Sequence, residues 1–121
     1  MVFGVRGAIV VGQNTRERIW AAAVRLVGEM RDRNALAESD IVSILFSLTE
    51  DLNAGNPAEG LRRTGYAHTP LFCLPEAKVE RGMPGVLRAL LTAESSRITD
   101  RRSVAHVYLD GAEALRPDLA V

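Results

Sequence analysis

The stretch from Pro70 to Arg88 carries a thiol, a carboxylate and a guanidinium able to bind or polarise a substrate: the single cysteine, Cys73, then Glu76, and at its end Arg88. A thiol becomes a nucleophile only with a base to ionise it, and the sequence pairs none with Cys73. Packing as a small hydrophobe and hydrogen bonding in a pocket therefore both stay open for that residue. A phosphate loop, a nucleophile elbow and a dinucleotide fingerprint are missing, Gly4-Val5-Arg6-Gly7 falling short of the last. His68 and His106 stand 38 positions apart without the carboxylate or thiol spacing of a zinc site, so no metal is expected. What is left is recognition of a polar substrate by charge and hydrogen bonds, without covalent chemistry.

Composition limits the partners. Fifteen basic residues balance fifteen acidic ones, so no global charge draws the chain to nucleic acid or an anionic membrane. Fourteen of the fifteen basic residues are arginine, the side chain suited to bidentate carboxylate recognition, although coding bias alone accounts for such a count. One cysteine forms no intrachain disulfide and no window reaches transmembrane length, so a cytoplasmic protein is expected. At 121 residues the chain is expected to be one domain spanning 1–121, with 110–121 a mobile tail.

The elements that must carry these residues follow from periodicity. Val2 to Val11 alternates as a strand, with Phe3, Val5, Ile9 and Val11 on one face and Gly4, Arg6 and Ala8 on the other. Arg6, flanked by small residues, is then either a solvated edge arginine or part of a site. Asn14 with Glu17 predicts a capped helix start, and Ile19, Ala22, Ala23, Leu26, Val27 and Met30 carry the apolar stripe to about Asn34. Ile41 to Thr49 predicts a second strand, with Val42, Ile44, Phe46 and Leu48 on an apolar face and a semi-polar face suited to a subunit interface.

Asn56-Pro57 predicts a short helix ending near Gly65, with Arg62 and Arg63 in its last turn, where they complement the helix dipole. Thr69 to Leu74 predicts a third strand. Pro84 to Ala93 reads as a third helix with Val86, Leu87, Leu90 and Leu91 inward and Arg88 at the border of that stripe. Val104 to Leu109 predicts a fourth strand in which His106 and Tyr108 share a face, both histidines of the chain reading as ordinary, partly buried ones. Gly111 turns the chain, and the tail beyond it is too short for an element of its own.

In this order Gly4-Val5-Arg6-Gly7-Ala8, Thr49-Glu50-Asp51-Leu52, Pro57-Ala58 with Arg62, Cys73 with Glu76, Arg88, His106-Val107-Tyr108-Leu109 and Leu115-Arg116-Pro117-Asp118 form a pattern. Across Val2 to Leu119 it resembles the monofunctional AroH-class chorismate mutases. The resemblance implies an α+β fold, a mixed β-sheet with helices packed on one face, and a homotrimer whose sheets form a barrel-like core with sites between subunits. It also implies the Claisen rearrangement of chorismate to prephenate on the way to phenylalanine and tyrosine, a pericyclic step that needs no cofactor.

By the same resemblance Arg88 donates to the ether oxygen and a carboxylate, and Arg6 holds a carboxylate beside it. Glu76 and Cys73 address the ring hydroxyl, and Tyr108 contacts the enolpyruvyl carboxylate. Arg62 and Ala58 approach from the adjacent subunit; Phe72 belongs to the same substrate-binding set, and Leu115 and Arg116 close the mouth. Asn56 and Glu59 stand where some members have phenylalanine and lysine, which shifts the entrance charge onto Arg62 and Arg116. A non-catalytic trimeric protein that binds a carboxylate ligand on the same fold is the alternative, and the presence of both Arg88 and Glu76 argues against it.

Overall fold

A computed structural model gives the fold and describes residues 1–119. Five strands form one mixed sheet: β1 (Val2–Val10), β2 (Ile41–Leu48), β3 (Leu71–Pro75), β4 (Val86–Glu94) and β5 (Val107–Leu109), in the spatial order β3-β2-β4-β1-β5. β4 is antiparallel to both neighbours, whereas β3 on β2 and β5 on β1 are parallel. Two helices, α1 (Arg16–Arg33) and α2 (Pro57–Arg62), complete the α+β architecture expected.

Alternation along β1 buries Phe3, Val5 and Ile9 against α1, and the α1 stripe of Ile19, Ala23, Leu26, Val27 and Met30 meets them. Their removal from water is the main stabilising term of the fold. α1 ends at Asn34, but its N-cap is Thr15, whose hydroxyl accepts from the Arg18 N–H at 3.2 Å. Asn14, the expected cap, instead accepts from the Asn53 and Ala54 N–H groups at 3.0 Å each. Its amide is worth more to the loop before α2, whose N–H groups no strand satisfies.

The largest departure from expectation is β4. Residues 86–94 form the strand between β1 and β2, with Leu87, Ala89, Leu91 and Ala93 buried towards the helices and Arg88, Leu90 and Glu94 exposed on the opposite face. Leucine and alanine suit a helix intrinsically, and Leu90, apolar yet outward, masks the two-residue period; two neighbouring strands override that preference. A smaller correction concerns β2. A bulge between Ile41 and Ser43 turns Ile41 inward and leaves Val42 exposed, so the buried set is Ile41, Ile44 and Phe46.

The tail carries a short element where none was expected. Ala112–Leu115 form a 3-10 turn, and Ala112, fully buried, packs with Ala8, Val86 and Tyr108 beside Leu115. Positions 120 and 121 of the expected mobile tail lie outside the described residues.

Candidate active site

Because side chains alternate across a sheet, the register decides which of them meet on the face away from the helices. Ser47 of β2 faces Arg88 of β4, Arg88 faces Ala8 of β1, and Ala8 faces Tyr108 of β5. One row thus carries a hydroxyl, a guanidinium and a phenol, with the small Ala8 leaving room between the last two. The adjacent row on that face carries Leu45, Leu90 and Arg6.

Glu76 joins the row from the end of β3. Its N–H donates to the Leu48 carbonyl at 2.8 Å, which holds the residue where β2 and β3 part. Its Oε1 then accepts from Ser47 Oγ at 2.6 Å and pairs with Arg88 Nε at 3.1 Å. A guanidinium ion-paired through Nε keeps its two terminal nitrogens for a further acceptor. Arg6, Ala8, Ser47, Glu76, Arg88 and Tyr108 line a cleft of about 300 Å³, and the Arg88–Glu76 pair also borders a second of about 320 Å³ that runs to Asp51 and Lys78.

The start of β4, which aims Arg88, is fixed from two sides. Gly85 adopts φ +68°, a conformation costly for any side chain, and its N–H donates to Asp51 Oδ1 at 3.2 Å. Its carbonyl accepts from the Val11 N–H at 2.8 Å. The Thr49 hydroxyl and the Gly85 amide hold the Asp51 carboxyl below its ordinary range.

Within one chain the expected site residues divide into two groups. Arg6, Glu76, Arg88 and Tyr108 share the cleft. Leu115 packs against the cluster that contains Tyr108, and Arg116 is held by Asp118 through Nε and Nη2 at 3.0 and 2.9 Å. Cys73, in contrast, lies in the row of Phe46, Ala89 and Gly7 that faces the helices, and burial pushes its thiol pKa up. At neutral pH it is a protonated donor. Ala58 is buried in the helix layer, Arg62 is exposed at the end of α2, and Phe72 is 66% exposed at the sheet edge.

Two contributors escaped the sequence reading. Ser47 was legible only as one of several polar residues on the mixed face of β2, and its meeting with Glu76 depends on the parallel β2–β3 pairing. His106 accepts from the backbone N–H of Arg6 at its Nδ1, 2.9 Å away, a bond across 100 residues that no local spacing announces. Among the described residues no cluster of His, Cys, Asp or Glu could hold a metal ion, and no helix is long and apolar enough to cross a membrane.

The family model for chorismate mutase type I matches residues 2–119. The chain is 38% identical over 120 residues to chorismate mutase AroH of Thermus thermophilus, covering 98% of this chain and 97% of that one. It is 33% identical over 122 residues to chorismate mutase AroH of Bacillus subtilis, covering 100% and 94%. A chorismate mutase structure from Clostridium thermocellum superposes with a TM-score of 0.88 at 36% identity, over 93% of this chain and 98% of the other. With the pattern of Arg6, Glu76, Arg88 and Tyr108 gathered on one sheet face, these matches over nearly the full length establish that the chain belongs to the type I, AroH-class chorismate mutases.

Proposed function

We propose that this protein converts chorismate to prephenate in the route to phenylalanine and tyrosine, using the cleft between Arg6, Glu76, Arg88 and Tyr108. The observation that carries the reading is the Arg88–Glu76 pair beside Arg6, two guanidiniums against one carboxylate, in a member of this family. That charge balance suits a substrate with two carboxylates and a hydroxyl.

In the rearrangement the ether C–O bond breaks as a C–C bond forms, and no proton is transferred. Catalysis then rests on holding the folded conformer and stabilising the charge that develops on the ether oxygen. Arg88 donates to that oxygen with a terminal nitrogen while Nε stays on Glu76, and Arg6 and Tyr108 hold carboxylates. Glu76 takes the ring hydroxyl.

The second wall comes from another copy. Ala58, Arg62, Phe72 and Cys73 do not line the cleft of their own chain, and the open sheet face exposes Val2, Leu45, Phe72, Leu74 and Leu90. Apolar side chains spread over a face of this kind favour a protein partner. A homotrimer packed through that face covers them and brings α2 of one subunit to the Arg88 cleft of the next, with Leu115 and Arg116 at the mouth. A single unpaired cysteine fits a reducing, cytoplasmic setting for this enzyme.

The test is direct: follow the ultraviolet absorbance of chorismate with purified protein and no additions. Turnover unaffected by chelators is expected. Chorismate bound without turnover would instead make this a ligand-binding protein of the same fold.

A further inference from the structure

We propose that His106 is a positioning residue for Arg6, acting as a side-chain extension of the β1–β5 ladder that fixes where the Arg6 guanidinium enters the cleft. β1 and β5 pair in parallel only from Gly7 with Val107 to Ile9 with Leu109. One step earlier the ladder has run out, and the Arg6 N–H, pointing to the β5 side, finds the imidazole Nδ1 at 2.9 Å where a carbonyl would otherwise serve. Arg88 is held by Glu76 and Arg116 by Asp118, whereas Arg6 has no ion-pair partner among the described residues. Its aim is therefore set by its backbone, and that backbone is anchored on His106.

The bond dictates a tautomer. An Nδ1 that accepts carries no proton, so the ring is neutral with its hydrogen on Nε2. Protonation would set N–H against N–H and release Arg6. Burial, then the Arg6 and Arg116 cations, lower the His106 pKa and keep the ring neutral. Arg101 and Arg102 line the same cavity as His106 and Arg6, and the Asp118 carboxylate near Arg6 is occupied by Arg116. The surroundings thus oppose an imidazolium from β1, from the 3-10 turn at Arg101–Ser103 and from the tail.

The part of the test that reads chorismate kinetics rests on the function proposed above, and the nuclear magnetic resonance part does not. His106→Asn places an amide oxygen near the Nδ1 position and does not titrate; His106→Leu fills the space without an acceptor. In the full-length protein, His106→Leu is expected to raise KM for chorismate roughly fivefold with little change in kcat, the loss expected of one hydrogen bond, while His106→Asn stays near wild type. On acidification below the ordinary imidazole range the wild-type KM rises, and that of His106→Asn stays flat. Nitrogen-15 spectra of the wild-type protein should show the Nε2–H tautomer, and hydrogen exchange should show an Arg6 amide protected in wild type and His106→Asn but not in His106→Leu. An Nδ1–H tautomer, an Arg6 amide equally protected in His106→Leu, or an acid limb shared by wild type and His106→Asn overturns the proposal. Should His106→Leu fail to fold, the tautomer and the His106→Asn profile decide. A wild-type protein inactive on chorismate but with the stated tautomer and protection would refute the function reading and leave the anchoring of Arg6 standing.

Discussion

Ser47 and Arg88 face each other across β2 and β4, and both reach the same oxygen, Oε1 of Glu76, from 2.6 and 3.1 Å. The carboxylate is thereby oriented before any substrate arrives, and the guanidinium, paired through Nε, keeps its terminal nitrogens without a hydrogen-bond acceptor among the described residues.

Arg88 should consequently matter most to turnover. Removing one preorganised donor from an oxyanion site costs about 3 to 4 kcal/mol, so Arg88→Ala is expected to lose several hundredfold or more in kcat. Arg88→Lys keeps the charge but cannot hold Glu76 through Nε and reach the substrate with a second nitrogen, so its kcat should fall between the two. Steady-state kinetics on folded protein check this; an Arg88→Ala enzyme within about tenfold of wild type would place the main electrostatic contact elsewhere.

If α2 of one subunit completes the cleft of another, Arg62→Ala and Arg88→Ala are each inactive but complement one another. Random co-assembly leaves about a quarter of the clefts with both walls intact in a cyclic oligomer. Activity restored to roughly that fraction after joint refolding is the expected outcome. Mixed oligomers that stay silent mean that both residues serve one subunit's own site.

Much of this arrangement was legible before the fold was known, and the failures share a cause. β1, α1 and the start of α2 follow from alternation, helical spacing and the Asn56-Pro57 cap, all local signals. The alternation also put Arg6 and Ala8 on the face opposite the core, as found. Residues 86–94 misled because Leu90 is apolar for the sheet's open face, a demand that local periodicity does not encode. Ser47 with Glu76 and His106 with Arg6 are contacts between distant segments, so their meaning depends on register, which only the folded sheet supplies. The residues were visible as types, and their pairing was not.

Asp51 gives a pH prediction. Its carboxyl is held below its ordinary range, first by the Thr49 hydroxyl and then by the Gly85 N–H, and an unfolded aspartate titrates near pH 4 (about 3.9). A depressed pKa contributes stability that is complete above the unfolded value and lost as pH falls through the folded one. Asp51→Asn, which cannot ionise, should be less stable than wild type at pH 7, and the gap should close at acid pH, as pH falls through the lowered folded-state value. Urea denaturation at both pH values measures it, and a constant gap would mean that the ionised form is not what holds the Gly85 turn.

The docking of α2 on α1 rests on Gly60. A Cβ there would lie 2.5 to 2.6 Å from three atoms of Trp20, and the indole cannot swing away freely because Arg16 and Arg63 lie 5.0 and 4.8 Å from its ring centroid. Two effects oppose each other in Gly60→Ala. Alanine gains about 1 kcal/mol of helix propensity over glycine, while forcing a methyl into a filled contact costs about 1 to 3 kcal/mol. A clash with three atoms belongs at the upper end, so a net loss of about 1 to 2 kcal/mol is expected, a fall in Tm of roughly 4 to 8 °C for a chain of this size. Trp20 is the chain's single tryptophan, so its fluorescence reports the same displacement directly. A shifted α2 also moves Arg62, and KM for chorismate should rise with kcat less affected. Gly60→Ala with a raised Tm and an unchanged emission spectrum would show that α2 relaxes without strain, and that the close approach of Gly60 to Trp20 does not set its position.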